Sequence, residues 1–161
     1  MKPIRFCLLA GLLSFCLFTS CEKDSITTDD GGGGIVEIPQ GMSAKIDGDN
    51  FEASSTQGID MGDAIWLTGS NSNGPTSLTL RLPTDVQPGT YTLPANEPST
   101  LDAYYTFAAS LTYRAKSGKI VVSKHDTTAK TIQGTFEIVC ESISSSSIVA
   151  LTKGRFNMSY Q

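Results

Sequence analysis

Few side chains in this sequence belong to the types that do chemistry, and their spacing limits what they can do together. His125 is the one histidine, set between Lys124 and Asp126 in a polar stretch that reads as a turn. A hydrolytic triad needs its base oriented by a carboxylate and shielded beside a nucleophile, and an exposed turn supplies neither. His125 is therefore expected to be solvated. Zinc takes three or four Cys, His or carboxylate ligands, and one histidine with one inward-facing cysteine falls short of that set. Asp47-Gly48-Asp49-Asn50 has the opening of a calcium loop. No glutamate follows at the bidentate position, and an Asp-Gly hairpin turn accounts for the residues without an ion. Asp60 and Asp63, in Gly58-Ile59-Asp60-Met61-Gly62-Asp63, are the remaining cation candidates and are expected on a loop. Carboxylate pairs for glycoside cleavage are defined by a separation of ~5–10 Å in the folded state, so Asp60, Asp63, Asp85 and Asp102 qualify only if one cleft gathers them. Gly31 to Gly34 lack the lysine and the strand-to-helix turn of a phosphate loop. No catalytic residue, metal or cofactor is assigned on these grounds.

The clearest chemical signal is a processing signal. Lys2 and Arg5 precede an apolar run from Cys7 to Phe18, and Phe18-Thr19-Ser20 leads into Cys21. That run is too short to cross a ~30 Å hydrocarbon core as a permanent helix and reads as a removed export signal over residues 1–20. Phe18-Thr19-Ser20-Cys21 resembles the lipobox of bacterial lipoproteins, with Phe18 where leucine is usual. The resemblance implies acylation of Cys21, and several acyl chains at about 0.8 kcal/mol per buried methylene make a stable anchor. Residues 21–40 are expected to be a flexible tether, since Asp29-Asp30 and four consecutive glycines offer almost no apolar surface to offset the entropy of ordering. Glu22-Lys23-Asp24 resembles the tag that directs some Bacteroidota-type lipoproteins to the outer face of the outer membrane. Asp24-Ser25-Ile26 and Asp126-Thr127-Thr128 resemble an O-glycosylation sequon of such bacteria, which implies Ser25 and Thr127 as acceptors.

Removing the leader takes two of the 12 Lys and Arg and none of the 16 Asp and Glu, so the formal charge falls from −4 to −6. Nucleic acid, whose affinity comes largely from basic side chains on phosphates, is excluded as a partner. Cys7 and Cys16 leave with the leader and Cys21 carries lipid, which leaves Cys140 as a lone thiol without a disulfide partner. The remaining region of about 120 residues is large enough for one hydrophobic core.

From residue 41 onward the apolar period is two. Ala44 and Ile46, the turn at 47–50 and Phe51 predict a hairpin; Ala64–Ser70 and Ser77–Leu82 predict strands; Tyr91–Leu93 fits an edge strand among prolines. Tyr105, Phe107, Ala109, Leu111 and Tyr113 share one parity and predict a single strand with those residues inward. Ser117-Gly118 is expected to turn the chain into a separate strand, Lys119–Lys124. Ile132, Phe136, Ile138 and Cys140 share the inward face of the next strand, and Ile148–Tyr160 closes the chain. With no sustained helical spacing, residues 41–161 are expected to form one all-β domain of eight to ten antiparallel strands, a sandwich or a flattened barrel. A packed interior is expected over a ligand-sized pocket, with Phe107 interdigitating with Phe136, Ile138, Phe156 and Met158 and its removal costing about 3–5 kcal/mol.

Ile132-Gln133-Gly134-Thr135-Phe136 and Thr152-Lys153-Gly154-Arg155-Phe156 repeat a glycine two places before an aromatic, a spacing that admits a bulge or leaves room for a neighbouring ring. These segments, with Ser117 to Val122 before them, resemble the closing strands of a family of uncharacterised Bacteroidota-type lipoproteins; Ala44 to Gly48 and Gly89-Thr90-Tyr91 extend the likeness. The resemblance implies a fold and a membrane address and no activity. The leading expectation is a non-catalytic envelope module binding glycan, peptide or protein, with a structural component of an envelope complex or a small-molecule or lipid carrier as alternatives.

Overall fold

The computed structural model describes residues 37–72, 76–94, 100–108 and 111–161. Cys21, Ser25 and nearly all of the expected tether lie outside the described residues. Ten strands follow in chain order: β1 (Gly41–Ile46), β2 (Asp49–Glu52), β3 (Ser55–Asp60), β4 (Ala64–Asn71), β5 (Thr76–Pro83), β6 (Gly89–Leu93), β7 (Asp102–Phe107), β8 (Leu111–Asp126), β9 (Thr131–Ser142) and β10 (Ile148–Ser159). All pairings are antiparallel, in one sheet of order β2-β1-β10-β9-β8-β7-β5-β4-β3, with β6 pairing the second half of β8. The sheet curls into a half-barrel. Its β3 edge returns to the chain end, where Gln161 donates its N–H to Gly58 and accepts from the N–H of Asp60. Gly58 permits that approach, because a Cβ there would lie 2.8 Å from Tyr160 Cβ.

The concave side holds the core, including Leu67, Leu78, Leu80, Leu82, Ile120, Ile132, Ile138 and Leu151. Phe136 and Phe156 fill its centre by a reciprocal exchange. In the β9–β10 register Phe136 lies opposite Gly154 and Phe156 opposite Gly134, so each ring occupies the space over the other strand's glycine. The glycine–aromatic spacing makes room for a ring at both places. In β10 it also follows a bulge, with Lys153 at φ 50°.

Three expectations are corrected. Residues 105–113 are two strands, since β7 ends at Phe107, the chain turns through Ala108 at φ 54°, and β8 begins at Leu111. Tyr105 and Tyr113 keep the inward side and face each other with ring centroids 5.7 Å apart. Phe107 and Leu111 pair at the rim and are half-exposed, so Phe107 is not a core ring. Second, Ser117-Gly118 is no turn: β8 runs unbroken past a bulge between Ala115 and Ser117, with Gly118 at φ 137°. Third, residues 55–60, which carry no apolar alternation, form β3, and Asp60 terminates it.

Candidate functional site

Alternation along β4, β5 and β7 sends Leu67, Leu80 and Ala103 inward, and Trp66, Arg81 and Tyr104 outward. Cross-strand register then brings the outward side chains together. Gln57 on β3 lies opposite Thr68, Thr68 opposite Thr79, Thr79 opposite Tyr104 and Tyr104 opposite Arg114, a row across five strands. One step along the strands, Ile59, Trp66, Arg81 and Asp102 form a second row.

The rings of Trp66 and Tyr104 are parallel to within 3° with centroids 6.4 Å apart. The Arg81 guanidinium sits 5.6 Å from the Trp66 ring centre, and its Nη2 donates to Asp63 Oδ2 at 3.0 Å. Asp102 is buried and accepts from Arg114 Nε at 2.7 Å, from the Tyr104 hydroxyl at 2.9 Å and from the Ala103 N–H at 2.8 Å. Burial, then the hydrogen bond to Asp102, pushes the Tyr104 hydroxyl above its ordinary pKa of 10.0, so it remains a donor to Asp102. Thr68 and Thr79 bond to each other through their hydroxyls at 3.0 Å. Beside this face, along the β3 edge, a polar cleft of about 650 Å³ is lined by Ser55, Gln57, Thr68, Ser70, Ser159 and Gln161 among others.

The carboxylates singled out in the sequence are held separately. Asp60 accepts from the Gly62 N–H at 2.9 Å and from Lys130 Nζ at 3.2 Å, and these contacts, the first foremost, lower its pKa below 3.8. Asp63 is paired with Arg81, Asp85 is exposed, and Asp102 belongs to the aromatic face. Asp60 and Asp63 thus meet different cationic side chains, and among the described residues no three His, Cys, Asp or Glu side chains converge. Asp47 and Gly48, at φ 49° and 98°, form the expected hairpin turn, and Asp47 Oδ1 accepts from the Ala150 N–H.

His125 is corrected from solvated to pinned. Its Nδ1 lies 2.8 Å from the carbonyl of Val86 and its Nε2 2.8 Å from the Tyr160 hydroxyl. A carbonyl only accepts, so Nδ1 carries the proton, and the ring ties β8 to the chain after β5 and to the C-terminal seam. Thr127 stands exposed in the β8–β9 turn, where Asp126 Oδ1 accepts from the N–H groups of Thr128 and Ala129. Cys140 is fully buried, and burial pushes its thiol up to about 12.

The family model for a domain of unknown function, DUF6252, matches residues 39–158. The chain belongs to that family. The match runs from just before β1 almost to the end of β10, so the DUF6252 domain is the whole half-barrel. No curated protein and no solved structure matches the chain. Within this domain, Trp66, Arg81, Tyr104 and Arg114 escape a search for catalytic or metal-binding motifs. Their one sequence signal is parity: an arginine between Leu80 and Leu82, and the only tryptophan between Ile65 and Leu67, each occupy the outward place in an apolar alternation.

Proposed function

We propose that this DUF6252 protein is a non-catalytic binding module of the bacterial cell envelope, anchored by lipid on Cys21 in the outer membrane and surface-exposed, with its ligand on the outward face of β4, β5 and β7. The observation that carries this reading is the gathering of Trp66, Tyr104, Arg81 and Arg114 on one outward surface. Tryptophan, tyrosine and arginine concentrate at binding hot spots because they combine large contact area with directed polar groups. The interior, by contrast, is occupied by Phe136 and Phe156, which favours an external ligand over carriage inside the barrel. Asp60, Asp63 and Asp102 are each engaged in a separate ion pair, which favours binding over hydrolysis. Ser25 and Thr127 are the proposed O-glycan acceptors, and Thr127 has the exposure such a modification needs.

A structural role in an envelope complex is the second reading. It is favoured by Phe107, Leu111, Ile143 and Ile148, large apolar side chains left exposed on neighbouring hairpins, where the Ile143 N–H reaches the Thr112 carbonyl. The two readings separate in intact cells with a photo-crosslinking amino acid placed at Thr79, opposite Tyr104 on β5, or at Ile143. Adducts from Thr79 and none from Ile143 are expected; the reverse would refute the outward-face reading. Cys21→Ala is expected to leave the protein unprocessed or free of the membrane fraction. A normally cleaved, fully membrane-bound variant would refute the anchor.

A further inference from the structure

The outward face has a composition that selects among ligand classes, and the inference drawn from it rests on the preceding reading of that face as the binding surface. We infer that the ligand is a neutral oligosaccharide laid across the strands, with one pyranose ring against Trp66 and Tyr104 and adjoining units over Thr79, Thr68 and Gln57.

Three observations carry this. First, the aromatic pair presents two parallel rings, and the C–H faces of a pyranose are apolar while its rim bears hydroxyls. Such a ligand needs an aromatic surface with short polar groups beside it. Thr68 and Thr79 supply hydroxyls in the row of Tyr104, and Gln57 supplies an exposed amide at its end. Second, the face is electrically balanced: Arg81 is met by Asp63 and Arg114 by Asp102. With each guanidinium already facing a carboxylate, an anionic polymer gains no uncompensated cation here, whereas sugar hydroxyls can both donate to Asp63 and accept from the guanidinium groups. Third, the row is long and continuous. From Gln57 to Arg114 it crosses four inter-strand steps of ~4.8 Å, roughly 19 Å in all, and the polar cleft along β3 prolongs it with Ser55, Ser70 and Ser159. A surface of that length suits a chain of several sugars better than a single small molecule. Among the described residues, Arg81 Nε is a buried side-chain nitrogen without a hydrogen-bond partner.

Trp66 is the only tryptophan in the chain, so its emission reports this site directly. The full chain, purified in detergent micelles, is run through native gels cast with soluble neutral polysaccharides (β-glucan, amylopectin, α-mannan, xylan) and with the acidic polymers polygalacturonate and heparin. In parallel, acrylamide quenching of Trp66 is measured with each polymer. At least one neutral polysaccharide is expected to retard the protein and shield Trp66, and neither acidic polymer is. Tyr104→Ala should weaken that binding by about two- to tenfold, the loss of one aromatic contact. Because Tyr104 also bonds Asp102, Gln57→Ala at an exposed position provides a second variant, expected to weaken binding while leaving circular dichroism unchanged. If no neutral polysaccharide shields Trp66, the inference is overturned. If an acidic polymer or a crosslinked protein shields Trp66 instead, the carbohydrate class falls while the outward-face reading stands. Retardation by a neutral polysaccharide with Trp66 still fully quenched, and with both variants unaffected, would overturn both.

Discussion

The exchange of rings and glycines at the centre of the barrel makes a sharp prediction for Gly154→Ala. A methyl there would lie 2.5 Å from Phe136 Cζ and closer still to its Cδ2 and Cε2, where comfortable carbon contacts need ~3.5–4 Å. Phe136 is 1% exposed, so its ring has no free space to move into. Overpacking of that severity costs ~3 kcal/mol, the upper end of the range for one added carbon in a tight core. Replacing glycine also restricts the unfolded chain, which returns ~0.7 kcal/mol, so the net loss should be about 2 kcal/mol. With a urea dependence of ~2 kcal/mol per molar, the midpoint should fall by about 1 M. The assay is urea unfolding followed by Trp66 emission, on a strand remote from the substitution. Phe136→Leu removes the obstructing ring edge, so the double variant should be hardly worse than Phe136→Leu alone, a coupling of roughly 2 kcal/mol. Costs that simply add, or a midpoint unmoved by Gly154→Ala, would refute the packing account of the glycine–aromatic repeat.

Other consequences can be measured on the same protein. Phe107→Ala should cost under about 1 kcal/mol, because its ring is half-exposed at the rim, whereas Phe156→Ala, with a fully buried ring, should cost about 3–5 kcal/mol; equal losses would contradict the placement of Phe107 at the rim, where β7 ends. Cys140 should resist a charged thiol reagent in the native state. Since burial raises its thiol from 9.0 to about 12, the stability it contributes is complete below pH 9 and declines as the pH rises toward 12, a decline that Cys140→Ala should remove. The Asp60 carboxyl is held below 3.8 by the Gly62 N–H and Lys130, so its contribution is present above about pH 4 and lost as the pH falls through the lower folded value. The stability difference between wild type and Asp60→Asn should accordingly shrink on acidification, and a difference that grows would show the contacts to be misassigned.

How much of this architecture is legible in the sequence depends on where parity is kept and where it slips. Ile132, Phe136, Ile138 and Cys140 stay on one face through all of β9, and their inward side is readable from spacing alone. The β7–β8 hairpin is invisible to the same reasoning for a physical reason. Three residues separate Phe107 from Leu111, so odd-numbered residues face inward on both strands and the pattern runs on as though no turn existed. At Ser117 the opposite happens. A bulge shifts the inward set from Tyr113 and Ala115 to Ile120 and Val122, and a change of parity inside one strand looks like a turn between two. β3 leaves no signature because its outward places hold Ser55 and Gln57 and its inward place at the seam is Gly58, whose neighbours are backbone and Tyr160.

The candidate site lies beyond what parity can reveal, because it depends on which strands become neighbours. Outward orientation of Trp66, Arg81 and Tyr104 is local, but their proximity follows from β6 leaving the chain order to pair with the far half of β8. That departure lets β5 bond directly to β7 and sets Thr79 opposite Tyr104. Had β6 been inserted between β5 and β7, Tyr104 would stand a further strand spacing of ~4.8 Å from Trp66. Arg114 and Asp102 would then be separated from Arg81 by an intervening strand, and the two ion pairs would no longer border one face. The length of β8, 16 residues, makes the displacement workable: its first part pairs β7 while its second part pairs β6, and the bulge at Ala115–Ser117 lies between the two pairings. Closing that bulge would therefore disturb the outward face as well as the core. Deleting Ser117 is expected to lower stability and to change the emission of Trp66, three strands away, whereas a deletion in the exposed β9–β10 loop, at Ser145, should leave that emission unchanged.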